Sequence, residues 1–194
     1  MKLSELFFKY RSYTPIPFII IMIFYHDSNI WSIITGLIVA SSGEFLRLWG
    51  VSWAGSETRT TGSVGGTYLI IKGPFGHLRN PLYLGNILMY TGIGIMSFAI
   101  FPWLQLVGLF FFSLQYHLII KEEEEYLKNT FGKQYDDYVS NVPRIIPRLT
   151  SYKVSNILQP GFSWKVGLRS EIRTFQAFGF IIFTLVILWL LRRS

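Results

Sequence analysis

The stretch GPFGHLRNPLYLG, residues 73–85, combines residue types that could bind an anion. Asn80 precedes Pro81, and this pair predicts a helix start, because proline suits the first turn of a helix and asparagine suits the position before it. We therefore expect a helix over residues 82–100. A helix start presents unpaired N–H groups and the positive end of the helix dipole, which favour an anion. The alternative is that the pair only caps a helix that enters a membrane.

A second polar run, residues 121–138, carries carboxylates that could bind a cationic or hydroxyl-bearing ligand. Its consecutive glutamates repel one another, so most of them must be solvated. Gln115, Ile119 and Glu123 follow one another at i,i+4 spacing and therefore share one face of the predicted helix. Glu123 is thus the carboxylate that we expect to face inward. Gly132 is expected to end this helix.

The composition argues against several kinds of site. The chain has no cysteine, which removes disulfides, thiolate metal ligands and cysteine nucleophiles. Its three histidines lie far apart in the sequence, so we predict no metal site. Hydrophobic residues make up 51% of the chain and charged residues 15%, which is the balance of a membrane protein. In such a chain the net charge of +7 indicates basic cytoplasmic loops and no nucleic-acid partner.

The apolar stretches predict an all-α integral membrane protein with about five transmembrane helices in a single domain, residues 1–194. The expected spans are, in chain order, one that starts near residue 6 and ends at 25, then 30–53, 82–100, 103–120 and 175–191. With the N-terminus inside, every Lys and Arg except Arg192 and Arg193 lies on the cytoplasmic side. That exception leaves open whether the last helix crosses the membrane or lies at its interface.

Two residue pairs at helical spacing have more than one interpretation. Glu44 and Arg47 can pair on one face of the second span. They form either a structural ion pair or one wall of a polar cavity, because charges within a span face protein or water. Tyr135 and Tyr138 also share a helix face, and we interpret them as packing residues. Gly92 lies within the third span, where glycine usually allows close helix packing.

Five motifs occur along the chain in a fixed order: GEFLR at 43–47, AGS at 54–56, the 73–85 string, EE-x2-L-x3-FG-x2-Y-x2-Y at 123–138 and VPRIIP at 142–147. In this combination the chain resembles the isoprenylcysteine carboxyl methyltransferase family of integral membrane methyltransferases and its prokaryotic relatives. The resemblance covers a core of about residues 43–148. Residues 150–194 form an additional C-terminal segment that contains the last helix.

The resemblance implies that S-adenosyl-L-methionine is the methyl donor, bound on the cytoplasmic face by a cap of loops and short helices. Backbone groups of residues 67–71, which we expect to be extended, suit an adenine edge, and aromatic side chains suit a sulfonium. Glu123 suits the ammonium group or a ribose hydroxyl of the cofactor. Carried over by position, the implied cofactor-binding residues are Thr67, Tyr68, Leu69, Ile70, Phe75, Asn80, Pro81, Leu82, Tyr83 and Glu123.

The chain departs from the family pattern at three positions. Asn80 stands where the family has a histidine, and Phe75 stands where it has a tyrosine. Ile119 stands where relatives have an arginine that suits a carboxylate substrate. Gln115, one turn earlier on the same face, could partly replace that arginine through neutral hydrogen bonds. Gln115 and Ile119 are therefore the expected substrate-binding positions, and no catalytic acid or base is assigned.

The resemblance implies methyl transfer to an amphiphilic acceptor that enters from the bilayer, such as the carboxylate of an isoprenylcysteine-like lipid. One alternative is a phospholipid N-methyltransferase, which uses the same cofactor on an amine. Two others are an NADPH-dependent sterol-type reductase and a non-catalytic membrane protein. The expected partners are a lipophilic substrate and membrane lipids.

Overall fold

The structure, a computed structural model, describes residues 3–55, 68–154 and 157–192. The described residues form α-helices joined by turns and irregular segments, with no β-strand among them, so the predicted all-α class is confirmed. A 3-10 turn, Gly73–Gly76, precedes the fourth helix. In chain order the helices are α1 (Leu3–Tyr10), α2 (Pro15–Phe24), α3 (Ile30–Ala54), α4 (Pro81–Ser97), α5 (Trp103–Phe131), α6 (Lys133–Asn141) and α7 (Trp164–Leu191).

The first expected span is divided into α1 and α2. Pro15 and Pro17 lack the backbone N–H that would continue α1, so a new helix begins at Pro15. The turn between the two helices is held by Arg11, whose Nη1 donates to the Phe8 carbonyl at 2.6 Å, and by Thr14, whose hydroxyl donates to the Arg11 carbonyl at 3.1 Å. The consequence is that Arg11 is fixed at a bend instead of within a continuous span.

α3 and α4 form an antiparallel pair with closely approaching backbones. A Cβ at Gly36 would lie 2.5 Å from the Gly92 carbonyl oxygen, and a Cβ at Gly43 would lie 2.5 Å from the Gly85 carbonyl oxygen. This contact confirms the expected role of Gly92 in close packing. Asn29 begins α3 with a capping box, in which its side chain accepts from the Ser32 N–H at 3.0 Å.

α5 and α6 carry the second polar run. α5 extends without interruption to Phe131 and ends, as expected, at Gly132, which has a φ of 51°. This left-handed conformation favours glycine and turns the chain into α6. The charged end of α5 lies beside the start of α4, where Tyr83 contacts Glu123.

α7 runs the full length of α3 in the opposite direction. Near its start, Gly167 packs on Ser52 of α3. At its other end, Arg192 pairs with Asp27 at 2.6 Å, in the turn that precedes α3. α7 therefore extends along the whole length of α3, and Arg192, one of the two basic residues that departed from the charge pattern, has Asp27 as its partner.

Three of the described helices, α3, α5 and α7, are long and apolar enough to cross a membrane. α4 has 17 residues, about 26 Å at 1.5 Å per residue, slightly less than the hydrocarbon thickness of a bilayer. α2 has only 10 residues. The sequence-based count of about five spans is therefore not confirmed, because proline shortens the first span and the left-handed Phe98 ends α4 early.

Candidate functional site

A cavity of about 800 Å³ lies where the start of α4, the charged end of α5 and the segment 68–70 meet. It continues between α2, α4 and α7. Cavities of this size accommodate a cofactor or a drug-sized ligand. It is therefore the candidate site, and the residues expected from the sequence can be located relative to it.

The structure brings nearly all of the predicted cofactor-binding residues to this cavity. Thr67 lies outside the described residues. The other nine all line the cavity: Tyr68, Leu69, Ile70, Phe75, Asn80, Pro81, Leu82, Tyr83 and Glu123. Eight of them lie within residues 68–83, and Glu123 of α5 joins them from 40 positions beyond Tyr83.

Glu123 and Tyr83 form the closest polar contact within this group. The Tyr83 hydroxyl donates to Glu123 Oε1 at 2.6 Å and joins α4 to α5. The ring of Tyr83 packs against Tyr116, with ring centroids 4.9 Å apart. These contacts hold the Glu123 carboxylate in one orientation, and its second oxygen remains available for a ligand.

The start of α4 lies at the cavity wall, but Asn80 does not cap it in the expected way. Asn80 occupies the position before the helix, yet its side chain makes no capping hydrogen bond. Its amide Nδ2 instead donates to the Arg144 carbonyl at 3.2 Å. Asn80 therefore attaches the VPRIIP segment to α4, while the first turn of the helix keeps N–H groups without a side-chain cap.

A cluster of three charged residues, Arg79, Arg144 and Glu124, also attaches the VPRIIP segment to α5. Arg79 Nε donates to Glu124 Oε1 at 3.0 Å, and its Nη1 donates to the Val142 carbonyl at 2.7 Å. Arg144 also pairs with Glu124. Glu124 thus has two cationic partners, whereas among the described residues Glu123, which also lines the cavity, has the Tyr83 hydroxyl as its hydrogen-bond partner.

Tyr135 and Tyr138 of α6 pack in the apolar cluster behind the cavity and also line it. The Tyr138 hydroxyl donates to the Phe75 carbonyl at 2.7 Å, which positions the turn that carries Phe75. Burial raises the pKa of both phenols well above the usual value, so both are neutral donors at physiological pH. The packing interpretation is confirmed, and a positioning contact is added to it.

Gln159 holds the segment that precedes the 3-10 turn. Its side-chain Nε2 donates to the Leu69 carbonyl at 2.6 Å, and its Oε1 accepts from the Ile71 N–H at 2.9 Å. Residues 69 and 71 thus present their backbone groups to one side, so the backbone groups of Ile70 point to the other side, as in a strand. The side chain of Gln159 therefore bonds this segment as a neighbouring strand would, and Ile70 lines the cavity.

We expect Gln159→Leu to loosen this segment without unfolding the protein, because both backbone hydrogen bonds are lost at once. Hydrogen exchange measured by mass spectrometry should show faster exchange in peptides that contain Ile71, by roughly two- to tenfold for a lost bond of ordinary strength. Gln176→Leu, an exposed position on α7, is the matched control. Unchanged exchange at Ile71 would show that Gln159 does not hold the segment.

Gln115 and Ile119 are not brought to the cavity. Both side chains are fully buried, and Ile119 packs with Phe112, Tyr116 and Ile120. On this helix, Tyr116 and Glu123 line the cavity, whereas Gln115 and Ile119 do not. The expectation that Gln115 and Ile119 contact a substrate is therefore not supported by the geometry.

Several cavity residues were missed by sequence reasoning. Arg11 comes from the bend before α2, and Arg173 comes from α7, outside the motifs. Arg47 donates to both oxygens of Glu171, at 2.9 and 2.8 Å, and to Asn86 Oδ1 at 2.6 Å. The Arg47–Glu44 contact is longer, 3.8 Å. The predicted pairing of Glu44 with Arg47 is therefore present as a longer contact, and Arg47 lines the cavity together with Glu171, whereas Glu44 does not.

Comparison with known proteins identifies a family for the central part of the chain. Residues 31–134 match the phospholipid methyltransferase family. The nickel-cobalt-cadmium resistance protein NccN of Alcaligenes xylosoxydans xylosoxydans is 24% identical over 147 residues, which cover 66% of this chain and 68% of that protein. The cobalt-zinc-cadmium resistance protein CzcN of Cupriavidus metallidurans is 24% identical over 184 residues, which cover 79% of this chain and 83% of that protein. No solved structure matches.

Within the described residues, no group of three or more His, Asp or Glu side chains is arranged to hold a metal ion.

Proposed function

The chain belongs to the phospholipid methyltransferase family, and we propose that it transfers a methyl group from S-adenosyl-L-methionine to an amphiphilic acceptor taken from the bilayer. The observation that carries this proposal is one continuous cavity with two different ends. The nine converging residues line a polar end, and apolar side chains of α2, α4 and α7 line the other. A polar cofactor and a lipid chain can therefore share one cavity.

The polar end fits S-adenosyl-L-methionine in its chemistry. Glu123 can accept from an ammonium group or a ribose hydroxyl, and the backbone edge of Ile70 can pair with adenine. The uncapped start of α4 favours a carboxylate. Phe75 and Tyr83 present aromatic faces, which attract a cation. The cofactor, when bound, supplies an already activated methyl group, so these residues need only bind, orient and exclude water.

The apolar end fits the chain of a membrane-borne acceptor. On α4 the whole cavity extends from Pro81, at its polar end, to Ile93, at its apolar end, a rise of about 18 Å at 1.5 Å per residue. That is more than half of the thickness of the hydrocarbon core. Ile16 of α2 and Phe178 of α7 form the two sides. We propose that the acceptor enters between α2 and α7 with its chain in this part and its nucleophile toward the cofactor.

Two kinds of acceptor suit this arrangement. A carboxylate, as in an isoprenylcysteine-like lipid, needs no general base. A phospholipid amine must lose a proton before it attacks, and the family description favours this second candidate. Radiolabelled methyl groups transferred to a lipid extract distinguish them, because a methyl ester releases methanol in mild base whereas an N-methyl group is retained.

We propose that the polar end of the cavity faces the cytoplasm and that the chain crosses the membrane several times. Two basic residues near the polar end, Arg79 and Arg144, pair with Glu124 in the charged end of α5. This distribution agrees with the positive-inside rule. The donor would then reach its site from the compartment in which it is made.

The test of the proposed function is calorimetric titration of the full chain, in neutral detergent, with S-adenosylhomocysteine, the product form of the cofactor. We expect saturable binding with one site per chain and no comparable binding of NADPH. Binding of NADPH alone would favour a reductase. If folded protein bound neither compound, the methyltransferase proposal would be wrong and a non-catalytic role would be favoured.

A further inference from the structure

The arginines that line the cavity differ in how their charges are compensated. Arg47 is paired with Glu171, and Arg79 is paired with Glu124. Within the described residues, no ion pair involves Arg11 or Arg173, although both line the cavity. The cavity therefore contains two cationic groups whose charge no described carboxylate neutralises at contact distance.

Arg173 lies at the head of an apolar stripe on α7. Arg173, Ala177 and Ile181 follow at i,i+4 spacing, and all three line the cavity. From Arg173 to Ile181 the helix rises about 12 Å at 1.5 Å per residue. A molecule lying along this stripe would have its charged head beside Arg173 and its apolar chain deeper in the membrane.

Arg11 occupies the corresponding place on the other side of the opening. It lies in the bend before α2, and Ile16 and Ile19 of α2 line the cavity beyond it. Its guanidinium stacks on the Phe8 ring at 3.9 Å, which fixes the side chain. Arg11 is also near enough to Glu123 and Tyr83 for its charge to act on both.

The three helices that line the apolar end run in the same direction. The Asp27 N–H, just after α2, donates to the Ser97 carbonyl at the end of α4, and Arg192 at the end of α7 pairs with Asp27. Their starts therefore lie together at the opposite end of the bundle. Arg11 and Arg173 precede the apolar residues on α2 and α7, so both guanidinium groups are at the same polar end of the cavity.

We propose that Arg11 and Arg173 form an anion-binding mouth for the acceptor, and that the acceptor is an amphiphile with a phosphate or carboxylate in its head group. This inference rests on the proposed function. Both arginines lie outside residues 31–134, the segment that matches the family, so the family match does not by itself imply them. They also supply the positive charge that Ile119 cannot.

The experiment uses the full chain in neutral maltoside micelles, saturated with S-adenosylhomocysteine. Decyl phosphate, decanoate and decyltrimethylammonium are titrated separately, and binding is followed by the intrinsic tryptophan fluorescence. We expect saturable binding of an anionic amphiphile and much weaker binding of the cationic one. The comparison of decyl phosphate with decanoate shows which anionic group is preferred.

Arg11→Gln and Arg173→Gln should each weaken binding of the preferred anion by roughly tenfold or more, the effect of one lost charge-assisted hydrogen bond. Arg169→Gln is the matched control, an exposed arginine one turn earlier on α7 that does not line the cavity. Arg173→Gln should change the affinity for S-adenosylhomocysteine by much less, whereas Arg11→Gln can also affect it, because the charge of Arg11 acts on Glu123.

Equal binding of anionic and cationic amphiphiles would overturn the proposal, as would unchanged anion binding in both variants. These outcomes are separable from failure of the proposed function. If the protein binds S-adenosylhomocysteine normally but does not prefer anionic amphiphiles, only the inference of an anion-binding mouth is wrong. If the protein binds anions but not S-adenosylhomocysteine, the inference of an anion-binding mouth is retained and the methyltransferase proposal is wrong.

Discussion

Glu123→Gln is expected to weaken S-adenosylhomocysteine binding by roughly 10- to 100-fold, because a carboxylate that accepts from a charged or hydroxyl donor contributes more than a neutral amide. The amide oxygen can still accept from Tyr83, so the contact between α4 and α5 is retained. Calorimetry with S-adenosylhomocysteine measures the loss. Glu123→Ala should remove binding altogether, since it also frees the Tyr83 hydroxyl.

The same substitution should not lower stability, which separates a binding role from a structural one. Removing a half-buried charge lowers the cost of desolvation, so the unfolding temperature of Glu123→Gln should equal or exceed that of the unmodified chain. Glu125→Gln, exposed on the same helix and not at the cavity, is the control. Weakened binding together with a reduced unfolding temperature would indicate that Glu123 stabilises the fold. Unchanged binding would show that Glu123 does not bind the cofactor.

The helices were predictable where sequence patterns are strong. Asn29, Gly132 and the apolar runs gave the bounds of α3 and α5 within a few residues. The positions of Glu123 and Tyr83 followed from motifs, and their contact follows from α4 lying beside the charged end of α5. The helix bounds depend on residues that are close in sequence, whereas Tyr83 and Glu123 are 40 positions apart and were assigned to one site only through the motifs.

The other side of the cavity could not be predicted, because it depends on contacts between distant parts of the chain. Glu171 is 124 positions away from Arg47, and Gln159 is 90 positions away from Leu69. A glutamine before a proline carries no local signal that it will pair with a backbone segment. Ile119 was expected at the substrate but is buried in the helix bundle. Helical spacing gives the face of a helix but not which neighbouring helix covers that face.

Arg47→Met is expected to destabilise the protein more than any other single change at the cavity. Its guanidinium lies between Glu171 and Glu44, whose side chains are 4% and 6% exposed, so its loss leaves two buried carboxylates without a cation. Breaking a buried pair by removing one partner costs about 3–5 kcal/mol. Thermal unfolding in detergent, followed by helical circular dichroism, should show the loss. Arg169→Met, exposed on α7, is the control.

Glu171→Gln should cost much less than Arg47→Met, although it breaks the same pair. Arg47 would keep its hydrogen bond to Asn86 and could move toward Glu44, now 3.8 Å away. The asymmetry arises because one arginine serves two carboxylates. Adding Glu44→Gln and Glu171→Gln to Arg47→Met should therefore recover most of the lost stability, since no uncompensated charge remains. Equal costs for the two single variants, or no recovery in the triple variant, would show that the pair stabilises the fold through packing and not through charge.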